Sequence, residues 1–235
     1  MNKLTALTVL LASTFYGMPA FASQDCDYLA SDKTWINTVG SNAEAQNTFF
    51  TNLQTCLQTE GETYKYYIDT QAISYVIQVV EGGGLDKSVE RKFAPFLVKI
   101  IKANAESGFA PSQHNYAVFQ NNSQSVMAEY VKQDYAEFMR WTRLAAAQGE
   151  PRAVFNLAMR LGSDKKIQGI QQDPELAYIL LTKLRTTKDP KGTLKPYQDI
   201  WKQQQEAMGA QFTPEQKTKL EAQAANYKYA QLGKI

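Results

Sequence analysis

Residues 145–158 read AAAQGEPRAVFNLA, a stretch that is typical of a tight turn between two helices. Alanine favours the helix interior, Gly149 is the residue type that most often ends a helix, and Pro151 is favoured in the first turn of the next one. Small side chains on both sides of the glycine allow two helices to pack closely. We therefore predict one helix that ends at 149 and another that begins at 151.

The flanking residues extend this junction into a pair of antiparallel helices. Between 151 and 162 the apolar side chains recur at helical spacing, at Ala153, Leu157, Ala158 and Leu161. A second start signal follows at Asp173, a capping residue, with Pro174 in the first helical position. The predicted buried face of that second helix consists of Ala177, Leu180, Leu181 and Leu184.

The same plan recurs along the chain at an interval of about 40 residues, which lies in the range of known helical repeats. Gly108 and Gly149 end two helices of the same kind, one such interval apart. The apolar positions 138, 141 and 145 recur after a similar interval, at 177, 180 and 184. Internal similarity of this kind is typical of helix pairs stacked into a solenoid, because one pair cannot bury its apolar face alone. The predicted fold class is therefore all-α, an α-solenoid of antiparallel helix pairs.

The junction resembles the signature of Sel1-like repeats, which are similar to tetratricopeptide repeats. That signature has paired alanines, a glycine turn, then alanine, an aromatic residue, asparagine, leucine and a small residue, as in 145–158. Trp141 stands at the tryptophan of the family's second helix, and residues 169–173 (GIQQD) resemble the family's linker. The preceding copy matches at Ala105, Gly108, Asn115 and Ala117, but it has Ser112 for alanine and Tyr116 for leucine. The resemblance covers about 93–184.

The resemblance implies a binding groove, because the first helices of tetratricopeptide-like pairs line a concave surface. The residues that this pattern places in the groove are His114, Val118, Asn121, Arg152, Phe155 and Met159. Apolar anchors, one guanidinium and an amide are suited to capture of a peptide. The alternative is that Phe155 belongs to the core and that His114 is a packing residue.

Four segments organise the chain. Residues 1–22 are a signal peptide, 23–84 a helical N-terminal segment, 85–187 the repeat region, and 188–235 the C-terminal capping helices. Further helices are predicted over 43–57, 72–80, 93–106 and 199–208, with a glycine break at 82–84 and a loop over 186–197. Thr213 to Gln216 has the pattern of a capping box that opens a last, polar helix through 227.

The first residues predict export to the periplasm of a Gram-negative cell. Lys3 precedes an apolar stretch over 4–18, and Ala20-Phe21-Ala22 supplies the small residues that a signal peptidase recognises. No cysteine follows at the cleavage point, which argues against a lipid anchor. The apolar stretch is shorter than the ~20 residues of a membrane span, so we expect no membrane insertion.

The two cysteines, Cys26 and Cys56, are predicted to form one disulfide, since an even count is typical of exported proteins. The bridge would close the loop between these positions and fix the mature N-terminus to the first long helix. The chain has no Cys-x-x-Cys motif and a single histidine, which argues against a redox pair or a metal site. We expect no metal and no cofactor.

Charge and motif content argue against nucleic-acid binding and catalysis. The formal net charge is +2, too small for the basic surface that nucleic acid requires. His114 is the sole histidine, and no nucleophile lies in a recognisable catalytic motif. Exported Sel1-like proteins linked to antibiotic hydrolysis carry a cysteine pair in each repeat, whereas this chain has none there. We therefore expect no enzymatic activity.

Two binding functions remain open. Exported Sel1-like proteins include some that act with cell-envelope or secretion machinery, type VI secretion among them, so the resemblance implies a scaffold or adaptor with a protein or peptide partner. The alternative is an inhibitor or immunity protein that binds one hydrolase or toxin. The tyrosines Tyr64, Tyr66 and Tyr67 are a candidate second contact patch for that role, unless they pack beneath the N-terminal region.

Overall fold

The computed structural model describes residues 42–59, 86–121, 125–165, 170–187 and 194–234. Throughout those ranges the regular structure is helical, without a strand, which confirms the all-α prediction. The signal peptide, Cys26, the tyrosines at 64, 66 and 67, and the predicted helix over 72–80 lie outside the described residues. Cys56 is buried in the core, and its pairing with Cys26 stays a prediction.

The described residues form eight α-helices and two short 3₁₀ helices. The α-helices are α1 (Ala43–Thr59), α2 (Lys87–Glu106), α3 (Ala110–Asn121), α4 (Tyr135–Ala147), α5 (Pro151–Leu161), α6 (Pro174–Thr186), α7 (Lys195–Gly209) and α8 (Pro214–Asn226). The 3₁₀ helices span Val126–Tyr130 and Tyr229–Lys234.

Side-chain caps fix the helix starts that the sequence predicted. Asp173 accepts a hydrogen bond from the Leu176 backbone N–H at 2.9 Å. The capping box is present, with Thr213 and Gln216 each bonded to the other's backbone N–H. These bonds satisfy backbone amide donors of the first helical turn, which have no acceptor within the helix itself.

Two predicted boundaries are wrong. Helix α2 begins at Lys87, not at 93, because the Asp86 side chain accepts the Ser88 backbone N–H at 2.8 Å and starts the helix more than a turn earlier. Helix α7 begins at Lys195, within the predicted loop over 186–197. There the Leu194 carbonyl accepts the Tyr197 N–H at 2.9 Å, and proline is tolerated in the first turn.

The two glycine junctions have the same backbone geometry. Gly108 and Gly149 have φ of +96° and +82°, in the left-handed region that disfavours residues with a side chain. The next residue then bonds back across the turn in both copies. The Phe109 N–H donates to the Asn104 carbonyl at 3.0 Å, and the Glu150 N–H donates to the Ala145 carbonyl at 3.1 Å. Each junction thus turns the chain directly into its next helix.

A second backbone bond also occurs twice. The Asp134 N–H donates to the Gln120 carbonyl at 3.3 Å, and the Asp173 N–H donates to the Leu161 carbonyl at 2.9 Å. Both donors precede a second helix and both acceptors lie at the end of a first helix. The backbone bond that joins α3 to the start of α4 therefore has a counterpart between α5 and α6, about 40 residues further along the chain.

Helices that are adjacent in sequence pack against each other from α1 to α7, and α8 also packs on α6. The apolar faces meet in one core, with residues such as Phe138, Leu180 and Leu184 no more than 1% exposed. Full burial of one such side chain contributes about 1.5–3 kcal/mol. Gln113 joins successive pairs, since its amide donates to the Ala105 carbonyl at 3.2 Å and accepts from Gln148 at 2.8 Å.

The C-terminal residues return to the middle of the array. After α8, the 3₁₀ helix Tyr229–Lys234 packs on α4, with Leu232 fully buried. The Tyr229 ring lies against Gly149, 3.1 Å from the position that a Cβ atom would occupy. The C-terminal region therefore covers the second glycine junction as well as α6.

No helix among the described residues is long and apolar enough to cross a membrane.

Replacement of the two junction glycines by alanine tests this arrangement. Gly108→Ala should lower the free energy of unfolding by about 1 kcal/mol from backbone strain alone, because no neighbouring atom of the described residues lies within 4 Å of the added methyl group. Gly149→Ala should cost about 2 kcal/mol or more, because its methyl group also meets Tyr229. Urea denaturation measures both. In a Tyr229→Ala background the two costs should become equal, and a persisting difference would contradict the Tyr229 contact.

Candidate functional site

An open groove of about 470 Å³ lies between α3, α5 and α7. Its walls contain aromatic and aliphatic side chains together with amides, one imidazole and one guanidinium. Helix α3 contributes His114, Asn115, Val118 and Phe119, α5 contributes Arg152, Phe155 and Asn156, α7 contributes Tyr197, Ile200 and Trp201, and Ser125 completes the lining.

Equivalent positions of three helices meet in this groove. Asn115, Asn156 and Tyr197 are separated by 41 residues each, and all three line it. Val118 and Ile200 are two repeat lengths apart and also line it. Helix α7 thus contributes to the groove together with α3 and α5. The interval of 41 residues that separates the two glycine junctions therefore also separates side chains that line the groove.

The groove has a buried aromatic floor and an exposed rim. Trp201 is 1% exposed and Phe119 is buried, whereas Tyr197 and Ile200 are 37% and 46% exposed. The rings of Tyr197 and Trp201 stack with centroids 6.1 Å apart. Phe155 is half-buried and packs on the core while it lines the groove. Both interpretations of Phe155 therefore describe part of its environment.

The structure brings together four of the six residues predicted for the groove, namely His114, Val118, Arg152 and Phe155. Asn121 is the exposed last residue of α3, and Met159 is half-buried on α5; neither lines the groove. Sequence reasoning missed the residues of α7, since Tyr197 was assigned to a loop and Ile200 and Trp201 to a C-terminal capping helix outside the repeat region. The sequence did contain a signal for Tyr197, because this residue follows Asn156 by the same 41 residues that separate Asn156 from Asn115.

His114 is held neutral inside the groove wall. It is 4% exposed, and burial lowers its pKa from 6.5 to about 4. The nearby Glu150 carboxylate acts in the opposite direction, while Arg152 lowers the pKa further. Nδ1 is buried and has no hydrogen-bond partner within the described part of the chain. The imidazole is therefore neutral at pH 7 and almost fully enclosed where it lines the groove.

Glu150 holds Arg152 in place and balances its charge. One carboxylate oxygen accepts the Ala153 backbone N–H at 2.8 Å and caps α5. The other accepts the Arg152 Nε–H at 2.9 Å. The Glu150 side chain is 6% exposed and that of Arg152 is 20% exposed. The pair is thus largely desolvated, so its geometry is more constrained than that of a surface ion pair.

Neither the described residues nor the comparisons with other proteins identify an established chemistry. In the described ranges, no three His, Cys, Asp or Glu side chains are grouped so that they could hold a metal ion. Comparison with protein-family models, curated proteins and solved structures found no match to this chain. The function is consequently inferred from the geometry of the groove.

The titration of His114 tests the burial of the groove wall. Its ring resonances are unambiguous in NMR spectra because the chain has one histidine. In the folded protein they should stay unchanged from pH 7.5 to 5 and titrate near 4. In urea they should titrate near 6.5. A folded-state midpoint near 6.5 would show that the imidazole is hydrated.

The same shift makes stability depend on pH. Since the unfolded chain binds the His114 proton first, stability should fall as the pH drops from about 6.5 towards 4. The loss over this window is about 3 kcal/mol at most. A His114→Gln variant removes this contribution, so its stability should fall less over the same interval.

Proposed function

We propose that this protein is a non-catalytic, protein-binding scaffold of the periplasm, built on Sel1-like helix pairs arranged as a short solenoid. Its groove between α3, α5 and α7 binds an extended segment of a partner. The observation that carries the proposal is that positions 41 residues apart on three helices line a single open groove. A row of equivalent positions suits a ligand that is itself a regular chain.

The composition of the groove supports binding of a protein segment. Phe155 offers aromatic surface within the groove, and Tyr197 and Ile200 offer aromatic and apolar surface at the rim. Buried aromatic anchors within a more polar surround are typical of the residues that dominate binding energy at interfaces. Asn156 and Arg152 add side chains that can bond to a peptide backbone.

The environment of His114 supports a binding function over catalysis. A general base is most effective when its pKa lies near the working pH and a third group orients it. With a pKa of about 4, His114 is a weak base at neutral pH. Its Nδ1 has no bonded partner among the described residues. We therefore propose that His114 shapes the groove and takes no part in proton transfer.

The proposed compartment and the proposed class of partner rest on features of the sequence. The signal peptide predicted over 1–22 supports a periplasmic location, where the partner belongs to an envelope assembly. The Sel1-like resemblance adds a secretion machine such as type VI secretion to the candidate assemblies, and this step is an analogy of fold. The alternative, an inhibitor or immunity protein, receives no support from the described residues, since its candidate tyrosine patch lies outside them.

Site-specific photo-crosslinking in living cells tests the proposal. A benzophenone amino acid at position 200, on the groove rim, should capture a specific envelope protein. The same group at position 130 is the matched control, because Ile200 and Tyr130 are both 46% exposed and only Ile200 lines the groove. Tyr197→Ala should weaken capture from position 200 while far-UV circular dichroism stays unchanged.

The interpretation depends on which protein is captured and on whether it is captured from position 200, from position 130, or from both. One envelope or secretion component captured from position 200 alone supports the scaffold. Capture of one stoichiometric hydrolase or toxin would support the inhibitor instead. Equal products from both positions, or none from position 200, would contradict a binding function for the groove.

A further inference from the structure

Helix α2 carries more positive charge than the net charge of the whole chain suggests. It has five basic and two acidic side chains and thus a net charge of +3, whereas the formal net charge of the whole chain is +2. The rest of the chain is therefore slightly acidic. Helices α7 and α8 are balanced by comparison, since each has two basic and two acidic side chains. The excess positive charge of the protein is thus concentrated on one helix.

Most of this charge lies on one exposed face of α2. Four exposed basic residues share that face, namely Arg91, Lys92, Lys99 and Lys102. Their positions fall within about 100° of the helix circumference, and at 1.5 Å per residue they extend over about 16 Å of its length. The stretch from Arg91 to Lys102 contains no acidic residue. We refer to these four residues as the basic face of α2.

Neighbouring groups neutralise little of the basic face. Arg91 and Lys99 form no ion pair within the described part of the chain. Lys102 lies 3.8 Å from Glu106, but both side chains are more than half exposed, so the attraction between them is weak. The acidic residues of the elements that pack on α2 form no ion pair with it in the described ranges; they are Glu44 of α1 and Glu129 of the first 3₁₀ helix.

The composition of the basic face fits an array of lipid phosphates better than a protein surface. Three of its four residues are lysines, which are depleted at protein interfaces, whereas arginine and aromatic residues are enriched there. It also lacks an apolar anchor of the kind that dominates binding energy at such interfaces. The exposed large apolar side chains of the described ranges all lie outside α2, at Tyr130, Leu144, Tyr197 and Ile200.

Anionic phospholipid provides what this face requires. Clusters of four or more lysines and arginines on a helix are typical of segments that bind anionic lipid head groups. Lysine is a flexible point charge that can follow phosphates as the lipids move, and it needs no fixed partner geometry. The basic face is also separate from the groove, since no residue of α2 lines it. A membrane surface and a peptide can therefore be bound through different residues.

We infer that the basic face of α2 holds the protein on a membrane surface that contains anionic phospholipid. The contact is electrostatic and peripheral, with the ammonium and guanidinium groups beside lipid phosphates and the helix outside the hydrocarbon region. Each basic group near such a surface strengthens binding about fivefold. Four such groups therefore act together where one would not suffice. The inference goes beyond the proposed scaffold function and uses none of the groove residues.

Flotation with lipid vesicles tests the inference on the exported protein. Phosphatidylcholine vesicles that contain about one third phosphatidylglycerol should bind the protein, and pure phosphatidylcholine vesicles should not. Arg91→Gln combined with Lys99→Gln should weaken binding roughly 25-fold, because two of the four charges are lost. Lys219→Gln combined with Lys228→Gln is the matched control, since it removes the same charge from two exposed lysines elsewhere and should change binding less than about twofold.

Both double variants alter exposed side chains, and far-UV circular dichroism checks that each keeps its helix content. Three results would overturn the inference: no binding to the anionic vesicles, equal binding to the neutral ones, or equal losses in the two double variants. Tighter binding of polyglutamate than of anionic vesicles would also overturn it and assign the face to an acidic protein. Crosslinking from position 200 reports on the groove alone, so failure of this inference leaves the scaffold function standing.

Discussion

The hydrogen bond that crosses each glycine junction is the interaction on which the rest of the structure depends. Phe109 and Glu150 donate to the carbonyls of Asn104 and Ala145, and the left-handed backbone at Gly108 and Gly149 brings donor and acceptor together. Each bond lies where one helix ends and the next begins directly after it. The positions of α3 and α5, two of the three helices that line the groove, follow from these junctions.

Much of the fold could be predicted because its signals are local. The junction at 145–158, the cap at Asp173 and the capping box at Thr213 depend on bonds within a few residues, so sequence pattern predicts them directly. The burial of Leu232 on α4 could not be predicted in this way, because it depends on contact between segments far apart in the chain. The early start of α2 was missed, since one Asp86 cap outweighed a weak apolar pattern.

The groove could be predicted in part for a related reason. His114 and Phe155 were predicted to lie there from the resemblance to tetratricopeptide-like pairs, and both line the groove. Tyr197 was assigned to a loop on the strength of nearby proline, glycine and lysine, although proline fits the first turn of α7. The low pKa of His114 depends on burial by several helices, which no local pattern contains. The polar and charged balance of the wall likewise depends on Glu150, whose role as a cap and ion-pair partner emerges from the junction geometry.

Native-state hydrogen exchange at Phe109 and Glu150 tests the central claim most directly. Both amides lie just past a helix end, where they would be open to solvent without the junction bonds. If both copies form as described, the two amides exchange at least about 1,000-fold more slowly than in an unstructured peptide, with similar opening free energies. Exchange of either amide at the unstructured rate would show that its junction is open, and would contradict the account of how the groove is positioned.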